Sequence, residues 1–217
     1  MTGPAAPLLY LVTDRHATRG RPLPEVIARA LDGLPGSASV AGTVAVQLRE
    51  KDLAARPLLA LARALRAVTT ARNVRLFIND RVDVALASGA DGVHLGGGAL
   101  TVEDVDALAP GLAIAASTHS VAEVIQRTAH PRISFVVFGP VFETPSKRAY
   151  GPPLGISALR AACATGARVV AIGGIDQDRG RACREAGAAG IGAIRAVLDV
   201  PHPDQATAGF FGAIERT

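Results

Sequence analysis

Residues 74–98 read VRLFINDRVDVALASGADGVHLGGG. An apolar run ends at Ile78 and meets the polar pair Asn79-Asp80. Val82, Val84, Ala85 and Leu86 then recur at helical spacing up to Gly89, and a second short apolar run, residues 92–95, stops at a glycine triplet. This is one strand-helix-strand unit, with polar groups set where a strand ends. The spacing predicts Asp80 and Asp83 in the first turn of the helix, where unpaired backbone amides favour anions.

The rest of the chain repeats the layout. Residues 8–13 (LLYLVT) form an apolar strand ending in Asp14-Arg15-His16, and a helix follows from Pro24 to Leu34. In TVAVQLREK, from Thr43, the residues Val44, Val46 and Leu48 alternate, while Gln47, Arg49 and Lys51 crowd the strand's end as an anion-binding candidate. A leucine-rich helix over 57–68 leads into the opening stretch. Beyond it, Thr101 with Asp104 marks a capping box for a helix over 102–108, and a strand over 112–116 ends in Ser117-Thr118-His119-Ser120. Ser120 caps the next helix, 121–128, with Glu123 at its third position. A strand over 135–138 opens the long loop 139–155, which carries Glu143, Thr144, Ser146, Lys147, Arg148 and Tyr150 and is suited to closing over a ligand. A helix over 156–165, a strand over 168–172 ending in Gly173-Gly174, a helix over 177–186, a strand over 191–194 followed by Arg195, and a last helix between 204 and 214 complete the chain.

Eight strands alternating with helices predict an α/β fold, the (β/α)8 TIM barrel, as one domain over residues 1–217. In that fold the strands' C-terminal ends converge on a single mouth. An open doubly wound sheet needs a glycine-rich phosphate loop after its first strand, and here Asp14-Arg15-His16 stands there instead. The glycines after the seventh and eighth strands place an anion between Gly173-Gly174 and the Ile194-Arg195 turn.

Composition narrows the function classes. An apolar content of 49 %, with 23 glycines among 217 residues, suits short strands packed under helices. A formal charge of +4, with no basic block interleaved with aromatic residues, argues against a nucleic-acid partner and is compatible with small anionic substrates. Cys163 and Cys183 are isolated and fit no metal or redox spacing. No run approaches 18 apolar residues, and no basic region with a long apolar core precedes Leu8. A soluble cytoplasmic protein with no membrane partner is expected.

Seven segments, in order, carry a family resemblance: YLVTD (10–14), QLREK (47–51), INDRVDVAL (78–86), GADGVHLG (89–96), STHS (117–120), FGPVFETPSK (138–147) and AIGGI (171–175). Over residues 8–197 the chain resembles the thiamine phosphate synthase and thiazole tautomerase (TenI-like) superfamily. The resemblance implies a magnesium-dependent transferase of thiamine biosynthesis, joining a hydroxymethylpyrimidine pyrophosphate to a thiazole phosphate with release of pyrophosphate. It further implies that Gln47, Arg49 and Lys51 contact the pyrimidine substrate and its diphosphate, as does Asn79. Asp80 would ligate Mg2+, Ser117 would sit by the leaving diphosphate, Thr144 and Ser146 would hold the thiazole phosphate, Lys147 the diphosphate, and Gly174 the thiazole phosphate through its backbone. Charge developing on the leaving group calls for Arg49, Lys147 and a cation, and no nucleophilic side chain is required. A homodimer is a further expectation.

Two departures stand out. Synthases of this family usually supply a second metal-binding aspartate after HLG, whereas this chain has Gly97-Gly98-Ala99, which weakens the magnesium site or removes it. Glu103 and Asp104, a few residues on, fit caps and surface groups better than metal ligands. Arg195 stands where the family commonly has a serine, and it either strengthens phosphate binding or fills part of the pocket. Two alternatives follow. A metal-independent thiazole tautomerase would need acid-base groups, and with Pro140 in place of the histidine that some members carry, His119 is the available candidate. A non-catalytic barrel that retains the phosphate pocket is the other. His94, inside a strand, reads as a structural group behind the site.

Overall fold

The structure, a computed structural model, describes residues 5–36, 42–144 and 152–215. Eight parallel strands pair in sequence order: β1 (Leu9–Val12), β2 (Val44–Leu48), β3 (Arg75–Asn79), β4 (Gly92–Leu95), β5 (Ala113–Thr118), β6 (Ile133–Phe138), β7 (Val169–Ile172) and β8 (Gly190–Ala193). β8 pairs back onto β1, with Leu9 opposite Ile191, so the barrel is closed. The connecting helices are α1 (Leu23–Asp32), α2 (Ala55–Thr70), α3 (Val82–Ser88), α4 (Val102–Leu108), α5 (Val121–Thr128), α6 (Gly155–Cys163), α7 (Gln177–Glu185), the four-residue α8 (Arg195–Leu198) and α9 (Pro203–Glu215). The TIM barrel expected from the sequence is the fold observed. No helix among the described residues is long and apolar enough to cross a membrane.

Alternation along each strand divides the core in two. Val44, Val46 and Leu48, with Leu76 and Ile78, face outward into the larger layer under the helices. Tyr10, Phe77 and Phe135 face inward, edge to face with centroids 5.5–5.9 Å apart, and fill the barrel's interior. Gly92 makes this possible, because a Cβ there would lie 2.4 Å from the Phe77 ring. Above these rings the inward positions become polar, which brings Gln47, Asn79, His94 and Ser117 toward one end.

The helix caps follow sequence chemistry. Thr101 and Asp104 form a reciprocal capping box, and the Ser120 hydroxyl accepts from Glu123 N. Asp80 corrects the expectation made for it. It lies outside α3, whose N-cap is Arg81, and takes a left-handed conformation at φ 59°. Few residue types tolerate that region, and aspartate is one of them. Asp83 does occupy the first turn, where it is ion-paired with Arg81 at 2.5 Å on the surface. Arg195, expected at the strand end, opens the short α8.

Candidate active site

The polar mouth is built on the ends of β2 and β3. Gln47 is buried, and its amide donates to Asn79 Oδ1 at 2.9 Å. Asn79 Nδ2 donates in turn to Asp80 Oδ2 at 2.7 Å, and Gly96 N donates to Asp80 Oδ1 at 2.7 Å. The chain Gln47–Asn79–Asp80–Gly96 therefore fixes the carboxylate from both sides. Gly96 is part of the fit, since a Cβ there would stand 3.2 Å from Asp80 Oδ1. A cavity of about 230 Å3 adjoins this group, lined by Glu50, Lys51, Asn79, Asp80 and Arg81 against an apolar wall of Leu48, Leu53 and Leu58.

Arg49 and Lys51 emerge from a loop pinned beneath them. The buried Thr13 hydroxyl accepts from Arg49 N at 2.9 Å and donates to Glu50 Oε1 at 2.7 Å. Glu50, also buried, accepts from both the backbone N and the guanidinium of Arg15, and Arg15 forks onto Asp52. The Arg15 guanidinium holds the Asp52 carboxyl well below the usual carboxylate range. Two loops are thereby joined by charge-assisted bonds. Sequence reading missed Thr13, Arg15, Glu50 and Asp52. The one signal for Glu50 was a carboxylate lodged between two cations in QLREK.

Deeper in the mouth, His94 Nε2 lies 2.8 Å from Ser117 Oγ and its Nδ1 lies 3.2 Å from Tyr10 Oη. Burial pushes the His94 pKa down to about 3, helped by the fields of Arg49 and Lys51, so the ring is neutral. His94 is thus a buried residue of β4 in contact with Ser117. His119 is exposed at the rim, with Nδ1 2.6 Å from the Gly139 carbonyl oxygen, and among the described residues its Nε2 has no hydrogen-bond partner.

Across the mouth, residues after β6 run along the end of β7: Val141 N donates to Ile172 O and Phe142 N to Gly173 O. Gly173 and Gly174 have φ of 102° and 63°, and a Cβ on Gly174 would lie 2.4 Å from Glu143 O. Only glycine suits both the backbone and the space. Arg179, also missed in the sequence, donates to Gly174 O at 2.7 Å and stacks over Phe142 at 5.0 Å from the ring centroid. Thr144 is half-buried nearby in the chain. Arg195 reaches back toward β1, 3.8 Å from Asp14 Oδ2, with about half of its side chain exposed. Ser146 and Lys147 lie outside the described residues.

Glu103 and Asp104 have other partners. Asp104 is occupied by the Thr101 cap, and Glu103 lies 3.6 Å from His130. Among the described residues no three His, Cys, Asp or Glu side chains come together as a metal-binding group. Cys163 and Cys183 are free thiols.

The fold and the mouth define a closed (β/α)8 barrel whose strand ends gather amides, one oriented carboxylate, cations and a glycine turn. The comparisons make this specific. The family profile described as thiamine monophosphate synthase matches residues 9–197, and the chain belongs to that family. It is 45 % identical over 197 residues to a putative thiamine-phosphate synthase of Geobacter sulfurreducens, covering 90 % of this chain and 88 % of that one. It is 38 % identical over 201 residues to the thiamine-phosphate synthase of Roseiflexus castenholzii, with coverage of 92 % and 85 %. Among solved structures, the thiamine phosphate pyrophosphorylase of Pyrococcus furiosus superposes with a TM-score of 0.83 at 32 % identity, covering 96 % of this chain and 95 % of that one.

Proposed function

We propose that the chain is a thiamine-phosphate synthase, joining a pyrimidine methyl diphosphate to a thiazole phosphate and releasing diphosphate. The observation that carries the reading is the Gln47–Asn79–Asp80–Gly96 chain beside Arg49 and Lys51, in a protein whose relatives bear that name. In the reaction the C–O bond of the pyrimidine methyl group breaks and its electron pair leaves with the diphosphate. The thiazole nitrogen lone pair then forms the new C–N bond. Gln47 and Asn79 orient the pyrimidine and its diphosphate; Arg49, Lys51, Lys147 and Ser117 meet the charge that builds on the leaving oxygens. Thr144, Ser146, the Gly173-Gly174 backbone and Arg195 hold the thiazole phosphate. The barrel's contribution is alignment and exclusion of water.

The donor set fits a magnesium ion bound chiefly through substrate. Among the described residues each Asp80 oxygen accepts one hydrogen bond and retains a further lone-pair site, and Mg2+ is commonly held by one or two carboxylates together with substrate phosphates and water. When bound, the ion supplies charge stabilisation to the diphosphate. The protein works in the cytoplasm on these small molecules, without nucleic acid or membrane, and as a homodimer, which sedimentation velocity tests. No observation favours the tautomerase or non-catalytic readings over this one.

The deciding experiment incubates the purified protein with both precursors across graded Mg2+. Coupled product that is lost in Asp80→Ala supports the synthase. Metal-independent isomerisation of a thiazole carboxylate phosphate, or binding of both precursors without turnover, overturns it.

A further inference from the structure

Tyr10 is fully buried, and among the described residues its hydroxyl has one hydrogen-bond partner, His94 Nδ1. The Tyr10 ring packs edge to face against Phe77 and Phe135, which offer no lone pair to a hydroxyl hydrogen, and stacks beside the His94 ring. Burial also pushes the Tyr10 pKa well up, so the phenol keeps its proton. A buried hydroxyl must place that hydrogen on an acceptor. Tyr10 therefore donates to Nδ1, and a neutral imidazole that accepts at Nδ1 carries its hydrogen at Nε2. Nε2–H then donates to Ser117 Oγ, 2.8 Å away. The opposite tautomer would leave the tyrosine hydrogen without an acceptor, and a charged ring would do the same while adding a buried cation near Arg49 and Lys51.

We propose that His94 is a positioning residue, locked by Tyr10 as the Nε2–H tautomer, which donates to Ser117 and cannot accept from it, and so reserves the serine's own hydrogen for an anionic oxygen at the mouth. The chain of donors runs one way, from the barrel's interior outward. It rests on the assignment of Ser117 to the leaving diphosphate. Without the lock, Ser117 is free to spend its hydrogen on an unprotonated Nε2 and is lost as a donor to substrate.

Nitrogen-15 NMR of histidine-labelled protein reads the tautomer directly, whether or not the protein turns over. The wild type is expected to show His94 protonated at Nε2 alone; protonation at Nδ1 overturns the proposal. Kinetics then test the consequence. Tyr10→Phe is expected to lower kcat roughly tenfold, the lower end of the loss found when a hydrogen-bond partner that orients a metal-ligating side chain is removed. KM for the pyrimidine diphosphate should change little, because the donor matters most as charge develops. In a Ser117→Ala background the same substitution should have no further effect on kcat. His94→Gln, whose amide can still donate toward Ser117, should retain more kcat than His94→Leu. An equal loss from Tyr10→Phe with and without Ser117 would mean that the tyrosine acts only as packing and would overturn the role given to His94. If the variants do not fold, the wild-type spectrum alone decides the tautomer.

Discussion

Acidification should begin to destabilise this barrel below pH 6.5, through His94. In the unfolded chain its ring has a pKa near 6.5. In the fold, burial lowers it to about 3. Above pH 6.5 the ring is neutral in both states and the fold carries no penalty from it. As the pH falls below 6.5, the unfolded chain takes up a proton that the folded chain does not, and stability is lost progressively until the pH nears the folded value. Each pH unit in that window is worth about 1.4 kcal/mol. The loss at pH 5 is therefore about 2 kcal/mol, and its limit near pH 3 is about 5 kcal/mol. The depressed carboxyls of Asp52, Asp83 and Asp204 act at lower pH and hardly enter the interval from 6.5 to 5. Urea titrations at pH 7, 6 and 5 on the wild type and on His94→Asn isolate the effect, since the other four histidines are common to both. The wild-type profile should fall more steeply by about 2 kcal/mol across that range. Parallel profiles would refute a neutral, buried His94.

Three substitutions probe the rest of the mouth. Gly174→Ala puts a Cβ 2.4 Å from Glu143 O at a φ of 63°, and should cost about 2 kcal/mol or more in denaturation while raising KM for the thiazole phosphate selectively. Glu50→Gln turns a buried acceptor of several donors into an amide that mismatches one of them. A loss of about 1–3 kcal/mol is expected by urea unfolding, with a higher KM for the pyrimidine diphosphate as the Arg49–Lys51 loop slackens. Arg195→Ser removes a half-exposed ion pair with Asp14, so stability should stay within about 0.5 kcal/mol. Its thiazole phosphate KM should rise severalfold at low salt and less at high salt, measured by initial rates.

The barrel was legible because a strand covered on both faces reads as an unbroken apolar run, and in each unit that run ended in polar residues. Residues 92–95 were bounded as a strand residue for residue, and the Thr101 cap announced its helix. Local chemistry did not carry Asp80, which is left-handed and has its carboxylate held by Asn79 just before it and by Gly96 at the end of the neighbouring β4. The four residues of α8 are too few for a periodic signal. Thr13 and Glu50 meet across 37 positions because β1 and β2 pair in parallel with Val12 opposite Gln47, a register no local pattern states. The family resemblance named Gln47, Asn79 and Asp80. That they form one hydrogen-bonded chain is visible only once the strands are side by side.

The ring cluster inside the barrel also makes the protein its own optical reporter. The chain has no tryptophan and two tyrosines, and one of them, Tyr10, is sealed among Phe77 and Phe135. Near-ultraviolet circular dichroism should therefore report strongly on the barrel's interior, without any introduced label. In an alkaline titration the Tyr10 phenolate band should be withheld until the barrel opens, because burial holds its hydroxyl well above the ordinary value.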